Sequence, residues 1–429
     1  MGDVFDSQFQ AMYEAFAREG IFIAVAYAPN GRPDYMYEAG RLLVSRKELD
    51  SVLAALPPGV EHAGKDEQPD DQRLVVLSIE NLQGGVHLTV PQALDLVDAS
   101  LGDKHPALNG GFPPATPVHI LHVSNGPGGA QPDTVRACAA TEPEVPYCCP
   151  AEEPCGPCPP PAPDGGADVV IGVCDTGLLA DIAADPWLGG IAAASGDIDQ
   201  LGPLLPNGLH AIPPYCGHGT FIAGVARCEA PEATVYVAND FVEGGQREWV
   251  IMRQLRALID RSPAPQVVNL SAGSYSRNDW PLLSFRAFEE SGGITLTCAA
   301  GNDGTYRKFW PAAFDWAVAV GALGADQRNR AWFTNYGDWV NVYTLGEGLV
   351  NAFATGEYTY HEPPKRPATQ VFDGRARWSG TSFAAPLVAG LIAAEMSQAG
   401  LTAPDATQAV LARAQSQAIP GVGPVLYPR

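Results

Sequence analysis

Four short segments of this chain carry residue types able to do nucleophilic chemistry. The first is Ser379-Gly380-Thr381-Ser382-Phe383-Ala384-Ala385-Pro386. A serine hydroxyl attacks a carbonyl only when a base can take its proton and its oxygen stands at an accessible point. Ser382 opens an apolar, helix-forming run. Gly380 permits a tight approach, and Ala384 and Ala385 keep the near surface small. A helix N-terminus also presents free backbone N–H groups that can stabilise an oxyanion. Pro386 is expected within the first helical turn, where its missing N–H costs little. The second segment, Gly217-His218-Gly219-Thr220, precedes the small-residue run 221–226. An imidazole titrates near neutrality and suits proton shuttling, and flanking glycines would leave room for a substrate to reach the ring. The third, residues 169–177 (VVIGVCDTG), puts Asp175 at the carboxyl end of an apolar strand, where open α/β sheets place functional groups. The fourth, Thr297-Cys298-Ala299-Ala300-Gly301-Asn302, ends another strand with an amide side chain. Alone, each has a commoner structural explanation: a helix cap, a loop histidine, a turn aspartate and a turn asparagine.

Together, in the order Asp, His, Ser, the segments VCDTG, GHGTFIAG and SGTSFAAP resemble those of the subtilisin-like (subtilase) family of serine proteases. The resemblance covers roughly residues 167–420. It implies a serine endopeptidase that hydrolyses peptide bonds through an acyl-enzyme. Ser382 would be the nucleophile, His218 the general base and then acid, and Asp175 the group that orients the imidazole. Asn302 would donate to the oxyanion beside the Ser382 backbone N–H. By the same resemblance Ser271, Ala272 and Gly273 form a strand edge along which a substrate backbone lies. With Ala299, Ala300 and Gly301 they would wall S1, the pocket for the P1 residue whose carbonyl is attacked. Small residues on both walls point to a roomy pocket for an apolar or medium side chain, and no acid there points to strict basic specificity. The chemistry needs no cofactor; structural calcium is frequent in the family, but no acidic cluster here assigns ligands, and no metal-binding residue is named. The rival reading is a catalytically silent, peptide-binding relative on the same fold.

The elements that must position these residues follow from apolar patterning. Residues 168–173, 266–270, 294–299 and 317–320 read as buried strands. Residues 219–226, 248–260, 283–291 and 381–397 read as helices. This alternation predicts an α/β domain over 167–429, a three-layer subtilisin-like fold around a mainly parallel sheet. Residues 1–130 carry strand signals at 21–28, 74–79 and 118–123 and helical spacing at 46–56 and 91–100, a smaller α+β domain. Between them, 131–166 is a linker dense in Pro and Cys, the shift in composition beginning near 124. Residues 351–378 read as a surface hairpin or loop near the cleft.

A net charge of −22 over 429 residues argues against nucleic acid or an anionic membrane as partner. The expected partner is a protein or peptide substrate. Residues 1–130 are expected to act as a prodomain-like or regulatory unit that binds and inhibits the catalytic domain, as in a zymogen. The acidic N-terminus shows no signal peptide, so a cytoplasmic location with reduced thiols is expected, without excluding secretion. Cys155-Gly-Pro-Cys158 spells a dithiol motif, but the prolines that follow forbid its helix, so thiol oxidoreductase chemistry is set aside. With Cys148 and Cys149 it offers four thiolates for zinc, against the simpler reading of a mobile linker. Cys174 and Cys216, beside the Asp and His segments, read as apolar fillers close to the site.

Overall fold

The computed structural model describes residues 2–102, 105–123, 142–146, 159–180, 188, 191–192, 197–239, 241, 243–288, 292–362 and 365–429. The linker cysteines Cys138, Cys148, Cys149, Cys155 and Cys158 lie outside these residues.

The N-terminal region runs α1 (Gly2–Arg18), β1 (Ile23–Tyr27), β2 (Pro33–Ser45), α2 (Leu49–Ala55), β3 (Glu61–His62), β4 (Leu74–Ser78), α3 (Val90–Leu101) and β5 (Ala115–His122). The strands pair antiparallel in the order β5-β2-β4-β3, with β1 on β2. Helix α3 starts at a capping box: Thr89 accepts from the Gln92 N–H while Gln92 accepts from the Thr89 N–H, and Pro91 follows inside the helix start. Its Ala93, Leu94 and Val97 pack with Leu42, Val44, Val75 and Leu77 of the sheet.

Next come β6 (Val170–Asp175), β7 (Leu178–Leu179), β8 (Ile191–Ala192), β9 (Ile198–Asp199), β10 (Ala211–Ile212), α4 (His218–Glu229), β11 (Thr234–Asn239), β12 (Gly245–Arg247) and α5 (Glu248–Ile259). The chain closes with β13 (Val267–Leu270), β14 (Thr295–Ala299), β15 (Val318–Leu323), β16 (Val342–Leu345), β17 (Leu349–Thr359), β18 (Thr369–Trp378), α6 (Thr381–Ala399) and α7 (Ala403–Ser416). Seven strands form one parallel sheet in the order β16-β15-β14-β13-β6-β11-β8. Its central strands are buried on both faces, so they read as continuous apolar runs. One face packs α4, α6 and α7, the other α5 and the segment around Phe285 and Phe314. This is a three-layer α/β fold around a parallel sheet, behind a smaller domain.

Within the segment read as a helix over 283–291, the structure has a 3₁₀ turn, Leu283–Ala287. The 351–378 stretch is a hairpin, β17 against β18, with one face exposed, as at Val371, and the other in the core through Phe353, Phe372 and Trp378. Burial alternates along β18, with Phe372, Ala376 and Trp378 pointing inward, a pattern that the sequence reading of this stretch did not use. The hairpin also holds part of the linker, since Glu144 bridges Arg377 in both backbone directions and Tyr358 Oη and the His361 N–H donate to Glu142.

Strand β12 follows β11 of the parallel sheet in the chain but pairs antiparallel with β5, so the N-terminal sheet runs unbroken onto the second domain. Burial seals the junction. His119 is 1% exposed and Glu248 fully buried, their Nδ1 and Oε1 atoms 3.0 Å apart. His119 Nε2 accepts the Arg277 N–H, so the ring proton sits on Nδ1 and is donated to Glu248. Glu248 also accepts the backbone N–H groups of His119 and Ser284, which compensates its buried charge. Arg277 reaches Asp95 and Asp98 on α3, and Arg307 reaches Asp34.

Glu38 lies at the same junction, 3.8 Å from Arg247. Burial pushes its carboxyl from the ordinary 4.5 up to about 7, against the pull of Arg247 and Arg41. The folded chain therefore keeps a proton that the unfolded chain releases, and stability from this group falls as pH rises from about 4.5 to 7. Glu38→Gln should abolish that decline: the wild-type melting temperature drops relative to the variant across this interval, measured by thermal denaturation at fixed ionic strength.

Candidate active site

Strand β6 delivers Asp175 to the carboxyl edge of the sheet, with no exposed surface. Its Oδ1 lies 2.7 Å from His218 Nδ1 and also accepts the Thr176 N–H at 2.8 Å. The carboxylate thus holds the ring with Nδ1 protonated and Nε2 open as a base. His218 is the first residue of α4, and the reason for its flanking glycines is packing rather than room for substrate. Gly217 has φ of 86°, and a Cβ there would press 2.8 Å from the Phe353 ring. Gly219 abuts the Gly177 backbone and donates its N–H to Thr176 Oγ1 at 3.0 Å. The imidazole rests edge-on against Trp378, ring centres 5.4 Å apart, and against Phe383 at 5.3 Å.

A residue absent from the sequence reading ties these pieces together. Asp199 accepts the Gly217 N–H at 2.7 Å and the Thr176 hydroxyl at 3.2 Å, so one carboxylate clamps the turn after Asp175 to the turn before His218. Burial raises its carboxyl to about 6. Only its place on β9, beside β7, brings it there; an isolated Asp in a loop-rich stretch carries no signal. Cys216 is buried nearby, and burial pushes its thiol far up, so it stays protonated. Cys174 is buried too.

Ser382 stands in the first turn of α6 and Pro386 is the sixth residue of that helix, not in the first turn as expected. An interior proline cannot donate to the carbonyl four residues back, which here is that of Ser382. Ser271 Oγ donates to this carbonyl at 2.7 Å instead, and itself accepts from Asn269 Nδ2 at 2.8 Å, whose Oδ1 accepts from Thr297 Oγ1. A buried polar chain from β14 through β13 therefore seats the start of α6. Asn302 is fixed by the same helix start, its Oδ1 accepting both the N–H and the hydroxyl of Thr381 at 2.8 and 2.9 Å. That orientation turns its Nδ2 donors away from Thr381.

Ser271, Ala272 and Gly273 leave β13 as an extended edge, and Ala299, Ala300 and Gly301 leave β14 facing it. The end of β5 lies along the first edge. His122 and Gly273 exchange both backbone hydrogen bonds, at 2.9 and 3.1 Å, and the Val123 N–H donates to the Gly244 carbonyl at 3.0 Å. Ser382 Oγ is 3.3 Å from the Ser271 carbonyl and 3.5 Å from that of Val123. Among the described residues no three His, Cys, Asp or Glu side chains gather as metal ligands.

A buried carboxylate–imidazole pair and a helix-start serine thus stand together at the carboxyl edge of one parallel sheet in a three-layer α/β fold. Residues 166–423 match the model of the subtilase family, and the chain belongs to that family. It is 32% identical over 286 residues to the subtilisin-like protease PopC of Myxococcus xanthus, covering 58% of this chain and 56% of that one. To the thermophilic serine proteinase of Bacillus sp. it is 31% identical over 192 residues, 42% and 43% of the two chains. The chain thus spans about half the length of the curated relatives it matches. The solved structure of fervidolysin from Fervidobacterium pennivorans, a keratinolytic enzyme related to subtilisin, shares the fold. Its TM-score is 0.55 at 18% identity, over 91% of this chain and 60% of that one.

Replacing Ser271 with Ala leaves the buried Ser382 carbonyl and Asn269 amide without their shared partner. An unsatisfied buried group costs about 1–3 kcal/mol, so Ser271→Ala should be destabilised by that order in denaturant unfolding, whereas Ser271→Thr, which keeps the hydroxyl and adds one methyl, should recover part of it.

Proposed function

We propose that the chain is a serine endopeptidase working through an acyl-enzyme. The carrying observation is that its own segment at 122–123 lies as a strand between Gly273 and Gly244, its last carbonyl 3.5 Å from Ser382 Oγ. A cleft that accepts an extended peptide backbone on two edges, beside a serine, suits a peptide as substrate. In the reaction His218 Nε2 takes the Ser382 proton as Oγ attacks the scissile carbonyl, with Asp175 stabilising the imidazolium. The Ser382 N–H at the start of α6 and Asn302 Nδ2 receive the developing oxyanion. The protonated imidazole then gives its proton to the leaving amine, and water repeats the sequence to free the acid.

The same occupied cleft supports an inhibitory role for the N-terminal domain. A second peptide cannot pair with Gly273 while His122 does, and Ser382 Oγ is turned toward backbone carbonyls. Release requires cutting the connection after β5 and then undocking the domain. Residues 124–141 and 147–158, where that cut is expected, lie outside the described residues.

A fluorophosphonate probe should label the wild-type chain at Ser382 and fail on Ser382→Ala; a correctly folded wild type that resists labelling supports the silent, peptide-binding reading. On storage the wild type should shorten by cleavage within 124–166 and Ser382→Ala should not, as read by intact mass. Asn302→Ala should lower kcat by roughly 10²–10³, the loss seen when one oxyanion donor is removed, with KM little changed.

A further inference from the structure

The two walls that the sequence marks for S1, around Gly273 and Gly301, do not enclose an empty pocket. The ring of Phe309 stands against both. A Cβ at position 273 would lie 2.7 Å from Phe309 Cδ1, and one at 301 would lie 3.1 Å from its Cγ. Phe309 is 2% exposed in the full chain. Its glycine neighbours are therefore small because a phenyl ring already occupies the space beside them, which overturns the roomy pocket expected from the sequence.

The ring is fixed from behind. Ser274 and Trp310 exchange backbone hydrogen bonds at 2.8 and 2.9 Å, anchoring the main chain on one side of Phe309. Tyr275 packs edge-on to it, ring centres 5.2 Å apart, and Tyr275 is itself fully buried. The Tyr275 hydroxyl donates to Asp303 at 2.7 Å and accepts from Asn335 Nδ2, which also bonds the Ala300 carbonyl on the opposite wall. A ring backed by a second ring whose polar end is tied to the wall after β14 has no vacant space to swing into.

We infer that Phe309 plugs the S1 pocket and restricts the peptidase to substrates with Gly, Ala or Ser at P1. This rests on the endopeptidase reading and adds to it the class of bond cut. A longer P1 side chain would have to displace a ring locked in a close-packed interior, whereas a hydrogen, methyl or hydroxymethyl group needs no such movement.

The test compares kcat/KM of the purified chain, once its cleavage within 124–166 has gone to completion, on peptides differing only at P1. Ala is expected over Leu and Phe by on the order of 100-fold. Phe309→Gly should lower the Ala-to-Leu ratio at least about tenfold, and Phe309→Val, a milder change if the glycine variant folds poorly, should lower it by an intermediate factor. Equal cleavage of Ala and Phe peptides by the wild type overturns the inference, as do ratios unmoved in a folded variant. A chain that reacts with a fluorophosphonate but cuts no small-P1 peptide also overturns it. A folded chain that does not react with the probe overturns the endopeptidase reading beneath it instead.

Discussion

The hydrogen bond between the buried Asp175 carboxylate and His218 sets the terms for the rest of the second domain. A carboxylate removed from solvent is costly unless its oxygens find donors, and here both donors converge on Oδ1 while Oδ2 is left without a hydrogen-bond partner among the described residues. The end of β6 supplies the Thr176 N–H, α4 supplies the imidazole, and Asp199 holds the two turns at the spacing the bond needs. That geometry explains residues that look incidental in the chain. Gly217 and Gly219 are glycine because Phe353 and Gly177 approach too closely for a side chain, and Trp378 reaches the ring only because the β17–β18 hairpin is folded into the core.

The serine half of the site depends on a different device. Pro386 interrupts the α6 ladder and frees the Ser382 carbonyl, and the Thr297–Asn269–Ser271 chain fills the gap from the sheet. A helix start pinned to two strands by buried hydrogen bonds keeps the Ser382 backbone N–H and Asn302 in one frame. Preorganisation of this kind matters because donors that need not reorganise stabilise charge most as it develops.

Strand β5 joins the two domains through shared hydrogen bonding rather than through side-chain contact alone. It pairs with β2 along one stretch and with β12 and Gly273 along its end, so docking the N-terminal sheet and filling the cleft are one event. The buried His119–Glu248 pair and the bridges from Arg277 and Arg307 fix the register at which that strand enters. A one-residue slip would reverse which side chains face the core, and the burial of Leu121 and Val123 among catalytic-domain residues resists it.

Sequence alone determined the parallel sheet, because doubly buried strands must be apolar throughout. Each of the segments holding Asp175, His218 and Ser382 has a commoner structural explanation by itself; their combined resemblance to the subtilase family singled them out, together with Asn302 and the two walls expected to line S1. Asp199, Thr381, the proline-freed carbonyl and the long strand β2 left no such pattern; each matters through a partner tens to hundreds of residues away. The clearest divergence is at Gly273 and Gly301. Their smallness reads as empty space along the chain, and only tertiary packing decides that Phe309 fills it, because a cavity is a property of what arrives from elsewhere and not of the residues that border it.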